Sequence, residues 1–86
     1  MRAVTIYTTP GCGSCFAAMH MLRKKGVALD EIDIAAEPGR RAEMVQRAGG
    51  RTTTPQIFLG DQHLGGFSEV ATLDWEGRLD RLLSEE

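Results

Sequence analysis

Residues 3–34 read AVTIYTTPGCGSCFAAMHMLRKKGVALDEIDI, and their pattern predicts a strand, a helix and a second strand. The β-branched run of residues 3–7 predicts the first strand, which ends at a proline–glycine turn. Residues 14–25 predict the helix, which ends at Gly26, and residues 27–34 predict the second strand. The helix carries one apolar stripe, formed by Cys15, Ala18, Met19 and Leu22. This order is a βαβ unit, so we expect the two strands to be parallel and the crossover to be right-handed.

The remainder of the chain predicts a second half with a different connectivity. Pro38 is expected to open a helix that ends near Ala48. Residues 56–59 and 62–64 predict the two strands of a hairpin with a two-residue turn. Residues 68–75 predict a further helix, and a short helix is expected after a glycine. The expected fold is therefore α/β, with a four-stranded mixed sheet (βαβ then ββα) flanked by helices on both faces.

Length and composition restrict the class of protein. The chain has 86 residues, of which 42% are hydrophobic and 26% charged, so we expect one globular domain over residues 1–86. The net charge of −2 argues against a dedicated nucleic-acid binder. The apolar runs are too short to cross a membrane, and the first residues lack the pattern of a secretory signal. We expect a cytoplasmic monomer that binds neither nucleic acid nor membrane.

The motif Cys12-Gly13-Ser14-Cys15 lies at the predicted strand-to-helix junction. Two cysteines are too few for a disulfide-stapled scaffold, and this placement is typical of a thioredoxin-like redox pair. The free N–H groups and the positive dipole end of the helix are expected to lower the pKa of the Cys12 thiol. We therefore expect Cys12 to be the nucleophile and Cys15, on the apolar stripe, to be the buried resolving thiol.

Two other interpretations of the cysteines are open. They could be half-buried residues without a chemical role, although the junction is a specific placement for such a pair. They could also bind zinc together with His20 and His63, although the spacing from Cys15 to His20 is not that of a zinc finger. Outside the zinc interpretation, both histidines are expected to be structural residues.

Three further features have both a functional and a structural interpretation. The X-Pro bond of Thr52-Thr53-Thr54-Pro55 is a candidate for the cis form, which would leave the backbone of Thr54 free to pair with an extended ligand. The backbone N–H groups of residues 65–69 (GGFSE) could bind a carboxylate or simply form a loop and helix cap. The basic residues could be a solvated face or include an anion contact near the cysteines: Arg40, Arg41, Arg47 and Arg51.

With these motifs in order, the chain resembles the glutaredoxins, specifically the short bacterial dithiol type. The resemblance covers nearly the whole chain. It rests on Ile6-Tyr7-Thr8, the Cys12-x-x-Cys15 motif, residues 50–58 (GRTTTPQIF) and residues 61–66 (DQHLGG). The second half of this pattern is more specific than the cysteine motif, which other families of the thioredoxin fold share.

The resemblance implies a thioredoxin fold and a glutathione site. It implies that Pro55 is the cis-proline and that the backbone of Thr54 pairs with the cysteinyl part of glutathione. It further implies that the γ-glutamyl carboxylate is held by Gly66, Phe67 and Ser68, with Glu69 in range of the α-amino group. Arg41 or Arg40 is the nearest match for a contact to the glycyl carboxylate. Four more residues are expected at this site: Thr9, Gly13, Ser14 and Thr53.

Three positions depart from the family pattern. Gly13-Ser14 replaces the common Pro-Tyr pair, which removes an aromatic ring and loosens the turn. Thr9 replaces the usual lysine, so a charge that would stabilise the Cys12 thiolate and a glutathione carboxylate is lost. Phe67 stands where some relatives have a third cysteine.

The first hypothesis for function is a glutathione-dependent thiol–disulfide oxidoreductase that reduces protein–glutathione mixed disulfides and small disulfides. Its partners would be glutathione, glutathionylated or disulfide-bearing proteins and, indirectly, the glutathione reductase system. The second is a carrier in which Cys12 and glutathione hold a [2Fe–2S] cluster between two subunits; the flexibility of Gly13 favours access to Cys12. A third is a thioredoxin-like reductant that receives electrons from a flavin reductase.

Overall fold

A computed structural model describes residues 3–85. The four strands are β1 (Val4–Thr8), β2 (Leu29–Asp33), β3 (Gln56–Leu59) and β4 (Gln62–Gly65). The four helices are α1 (Gly13–Lys24), α2 (Arg40–Arg47), α3 (Phe67–Trp75) and α4 (Arg78–Ser84). Every element predicted from the sequence is present, and no end shifts by more than two residues.

The strands form one mixed sheet in the order β2-β1-β3-β4. β1 is parallel to β2, whereas β3 is antiparallel to both β1 and β4. This confirms the predicted βαβ unit followed by a ββα unit. Because β3 runs against β1, its first residue, Gln56, lies opposite Tyr7 near the end of β1. The loops before β3 and after β1 therefore meet at the same edge of the sheet.

The predicted start of α2 at Pro38 is wrong. The helix begins at Arg40, and residues 37–39 form a turn ahead of it. In this turn the N–H of Arg40 donates to the carbonyl of Glu37, and that of Arg41 donates to the carbonyl of Pro38. These bonds span three residues, so the backbone here is tighter than an α-helix.

Side chains alternate between the two faces of the sheet and build two hydrophobic clusters. One face carries Ile6 and Ile57 and packs on α1, α3 and α4, which contribute residues such as Leu79. All three residues are fully buried. The other face packs on α2 through Tyr7 and Phe58. This two-sided burial explains why the central strands β1 and β3 are almost continuously buried.

Lys25, at the C-terminal end of α1, connects three helices. Its ammonium lies 2.5 Å from Asp74 on α3 and 2.9 Å from Asp80 on α4. Hydrogen bonds to Asp74 and then Asp80 raise the pKa of Lys25 above its usual value.

Among the helices of residues 3–85, none is long and apolar enough to cross a bilayer.

We predict that Lys25→Met lowers the free energy of unfolding by about 1 kcal/mol at pH 7 and low salt, because two carboxylates lose their cation. Since the pKa of Lys25 is higher in the folded state, the contribution is fully present below the unfolded value of about 10.4 and is lost as the pH rises through the folded value. Urea unfolding measures the loss, which should shrink in 1 M salt.

The control is Lys24→Met, which removes the same charge at an exposed neighbouring position. Equal losses for the two variants, or a loss that does not respond to salt, would show that the contacts to Asp74 and Asp80 contribute nothing specific.

Candidate functional site

The two cysteines lie at the start of α1, as predicted. Cys12 is the N-cap residue and half-buried, whereas Cys15 is 1% exposed. They form a disulfide, and their Cα atoms are 5.2 Å apart, within the range that a disulfide requires. The backbone N–H of Cys15 donates to the Sγ of Cys12 at 3.1 Å. The sulfur of Cys12 therefore occupies the position that a capping oxygen takes at other helices.

This position favours negative charge on the Cys12 sulfur. A helix N-terminus carries a partial positive charge, and an N–H donor is already aimed at the sulfur. The first turn, Gly13-Ser14-Cys15-Phe16, contains no acidic residue that would oppose a thiolate. The Oγ of Ser14 lies 3.5 Å from the Cys12 Sγ and provides a second polar neighbour.

The loop before β3 faces the Cys12 sulfur. The peptide bond between Thr54 and Pro55 is cis, as the sequence suggested. The carbonyl oxygen and the Oγ1 of Thr54 both lie 3.8 Å from the Cys12 Sγ. The Oγ1 of Thr54 also shares a hydrogen bond with the Oγ1 of Thr9, at 3.0 Å. Thr9 thus supports this loop rather than lining the groove described next.

The turn between β4 and α3 packs against the same loop. Gly65 has a φ of +114°, and a Cβ at this position would collide with the Glu69 side chain at 2.7 Å. A Cβ on Gly66 would lie 3.3 Å from the carbonyl oxygen of Pro55, so this glycine allows the close approach of the two loops.

Glu69 holds the start of α3 and pairs with a cation from the opposite loop. Its Oε1 accepts the N–H of Gly66 at 2.8 Å and lies 2.6 Å from a guanidinium nitrogen of Arg51. The hydrogen bond from Gly66, followed by that from Arg51, lowers the pKa of Glu69. The carboxylate is therefore ionised at neutral pH.

Between these loops lies a groove of about 190 Å³. It is lined by Ser14, Arg51, Thr53, Thr54, Pro55, Gly66, Phe67, Ser68 and Glu69. The structure thus brings together eight of the residues expected at the glutathione site, from three separate segments of the chain. Gly13 is exposed at the start of α1, beside the groove.

The four arginines of the basic cluster occupy different places. Arg51 lines the groove, although the sequence assigns it no specific contact with glutathione. Arg41 is exposed on α2 and is not among the residues that line the groove. Arg40 pairs with Glu43 and Arg47 donates to the Tyr7 hydroxyl, so both have partners on the α2 face. The position of Arg51 directly before the Thr-Thr-Thr-Pro motif was the signal that could have identified it.

The zinc interpretation needs the side chains of Cys12, Cys15, His20 and His63 to lie together within the described part of the chain. No three side chains of the metal-binding types cluster there in a way that could hold an ion. His20 is exposed on α1, and the Nε2 of His63 is hydrogen-bonded to the Oε1 of Gln56 at 2.7 Å.

Comparison with known proteins agrees with the geometry. The glutaredoxin family model matches residues 4–64. A glutaredoxin of Pseudomonas aeruginosa is 44% identical over 98% of this chain and 99% of its own length. Glutaredoxin 3 of Escherichia coli is 45% identical over 96% of this chain and 99% of its own length. The solution structure of a Brucella melitensis glutaredoxin has a TM-score of 0.82, with 49% identity over 96% of this chain and 89% of that one.

A redox-active cysteine pair at the start of α1, on a sheet of this order, defines a protein of the thioredoxin fold. Within that class the chain belongs to the glutaredoxin family, and it is a thiol–disulfide oxidoreductase.

We predict that the reduced Cys12 thiol has a pKa below the ordinary cysteine value of about 8.5, because the Cys15 N–H and the helix dipole stabilise the thiolate. The measurement is the rate of alkylation by iodoacetamide as a function of pH, in a Cys15→Ser variant so that a single thiol reacts. A midpoint at or above that of free cysteine would contradict the role assigned to the helix.

Proposed function

We propose that this glutaredoxin uses glutathione to reduce protein–glutathione mixed disulfides and small disulfides. The observation that carries the proposal is the groove of residues 51–55 and 66–69 beside the Cys12 sulfur. Its volume and its mixture of backbone groups and charges suit a short peptide that is held by main-chain pairing and by its charged ends.

Each part of the groove offers a partner for one part of the tripeptide. The backbone of Thr54 would pair with the cysteinyl residue and bring its sulfur to Cys12. The N–H groups at the start of α3, from Gly66 to Ser68, would hold the γ-glutamyl carboxylate, since a helix N-terminus binds anions. Glu69 would attract the α-amino group. We retain Arg41 as a proposed contact of the glycyl carboxylate.

Arg51 supplies a cation to this groove. The family's usual lysine is absent because position 9 is threonine. Arg51 lies in the groove with its guanidinium against Glu69, 43% exposed, and is accessible to a carboxylate of the ligand. A guanidinium binds a carboxylate through two parallel hydrogen bonds. Arg51 would therefore offset the charge that is lost with threonine at position 9.

The reaction proceeds by two exchanges of sulfur partners. The Cys12 thiolate attacks the glutathione sulfur of the mixed disulfide. The S–S bond between glutathione and the substrate breaks, and the substrate leaves as a thiolate that takes up a proton. Cys12 now carries glutathione in a disulfide. A second glutathione thiolate then attacks the glutathione sulfur, which releases oxidised glutathione and restores the Cys12 thiolate. A glutathione reductase system would regenerate glutathione, and a cytoplasmic location would supply both.

Cys15 provides a second route. Its sulfur attacks the Cys12 sulfur, releases glutathione and leaves the Cys12–Cys15 disulfide, the state in which the structure shows the pair. Two glutathione molecules then reduce this disulfide. This route needs both cysteines, whereas the first needs only Cys12.

We predict that Cys12→Ser abolishes the reduction of a glutathionylated peptide by glutathione, whereas Cys15→Ser retains it. Serine at position 12 removes the nucleophile, but serine at position 15 removes only the second route. Turnover is followed by coupled NADPH oxidation with glutathione reductase. Equal loss of activity in the two variants would contradict the separate roles of the cysteines.

A second candidate is a glutathione-ligated [2Fe–2S] carrier. A structure of 49% identity and TM-score 0.71 concerns the metal binding of glutaredoxins. In this chain Gly13 is exposed, and nothing lies within 4 Å of the point where a Cβ would be built on it. A group bound to Cys12 would therefore have open space on this side. Cys12 of each of two subunits, with two glutathiones, would supply the ligands.

For this carrier role we predict that anaerobic reconstitution with iron, sulfide and glutathione yields a coloured dimer. Gly13→Pro should give less of it, because proline is tolerated at the first position of a helix but stiffens the turn beside Cys12. The visible spectrum and size-exclusion chromatography measure both properties. A colourless monomer after reconstitution excludes the carrier role and leaves the oxidoreductase role untouched.

A further inference from the structure

A set of hydrogen bonds on the α2 face of the sheet ends at the loop before β3, which lines the groove. Gln56, the first residue of β3, has no exposed surface. Its Nε2 donates to the carbonyl oxygen of Thr53 at 3.0 Å and to the Oγ1 of Thr53 at 3.3 Å. Its Oε1 is 2.7 Å from the Nε2 of His63 on β4. One buried amide therefore joins the groove residue Thr53 to a histidine outside the groove.

The directions of these bonds follow from the chemistry of the groups. The carbonyl of Thr53 can only accept, so the Nε2 of Gln56 must face it. The Oε1 of Gln56 then faces His63 and can only accept, which places a proton on the Nε2 of His63. Burial, followed by the charge of Arg51, lowers the pKa of His63. The ring is thus neutral at pH 7, with Nε2 as its donor.

His63 is itself fixed in place. Its ring stacks on Phe58, with the ring centres 4.8 Å apart. The guanidinium of Arg47 lies 4.2 Å from the centre of the Phe58 ring and donates to the hydroxyl of Tyr7 and the carbonyl of Gly60. The histidine therefore presents its N–H to Gln56 from a rigid surface, with little entropy to lose.

Thr53 and Thr54 lie in a segment outside the sheet ladder. Thr54 is held by Thr9 on the Cys12 side, and Thr53 is held by Gln56 on the other side. Without the amide of Gln56, the carbonyl of Thr53 and the N–H of His63 would lose a partner at a partly buried position, and this loss costs free energy. The loop would then relax away from the conformation that the groove requires.

We propose that Gln56 is a positioning residue for ligand binding, and that His63 acts through it. Gln56 fixes the backbone of the Thr53–Thr54 segment in the conformation that pairs with the peptide part of a glutathione mixed disulfide. It touches neither the ligand nor the reacting sulfur. This inference rests on the proposed function, because the ligand of the groove is the one assigned there.

The first test compares Gln56→Met with Gln62→Met. Methionine keeps the length and shape of the side chain but removes the amide, and Gln62 is exposed on the neighbouring strand. Gln56→Met should raise the KM for a glutathionylated peptide about five- to tenfold, the loss expected for one well-placed hydrogen bond, with kcat changed less than about twofold. Gln62→Met should change neither constant.

A separate readout distinguishes positioning from general damage. The Cys12 sulfur is held by the N–H of Cys15, which does not depend on Gln56. The rate of alkylation of reduced Cys12 should therefore be the same in Gln56→Met and in the parent protein. An unchanged KM in Gln56→Met, or a fall in alkylation rate that accounts for the loss of activity, overturns the proposal.

A second pair of variants tests the histidine without changing Gln56. His63→Leu removes the donor and should raise the KM about threefold, whereas His63→Gln can still donate to the Oε1 of Gln56 and should restore most of the affinity. In the double variant with Gln56→Met, His63→Leu should add nothing further, since both act through one contact. Equal KM values for the leucine and glutamine variants, or additive effects in the double variant, overturn the role of His63.

The parent protein separates this inference from the proposed function. If the parent fails to turn over the glutathionylated peptide, the proposed function is wrong. If the parent is active and the KM of Gln56→Met equals that of Gln62→Met, only the positioning role is wrong.

Discussion

The chemistry of this glutaredoxin depends on one short contact, the hydrogen bond from the Cys15 N–H to the Cys12 sulfur. It places the sulfur at the N-cap of α1, where a helix lacks partners for its first N–H groups. A buried apolar stripe fixes the helix against the sheet, and Cys15 is part of that stripe. The packing that stabilises the fold therefore also aims the backbone donor at the Cys12 sulfur.

The sheet order places a groove beside the Cys12 sulfur. Because β3 is antiparallel to β1, the loop before β3 lies beside the loop after β1. The start of α3 reaches the same edge through the hairpin of β3 and β4. Gly66 allows the loop before β3 and the start of α3 to meet, since a larger residue would press on the Pro55 carbonyl. Three distant segments thus form one groove.

The groove also has a defined arrangement of charge and support. Thr9 forms a hydrogen bond with Thr54 that supports the loop before β3. Arg51 provides a cation to the groove, and Glu69 holds it there. The Gln56–His63 contact links the groove to the α2 face through Phe58 and Arg47. The loop before β3 is therefore held at two residues, Thr54 by Thr9 and Thr53 by Gln56.

The periodicities of apolar residues and the turn residues were enough to place every strand and helix, because these patterns reflect local geometry and burial. The same holds for the placement of Cys12 and Cys15 at a helix start, whereas their separate roles stay predictions. The place of Arg51 in the groove could not be derived in this way, nor could the contact of Gln56 with His63. Both depend on which loops the antiparallel β3 brings together, and proximity between residues far apart in the chain exists only once the sheet has formed.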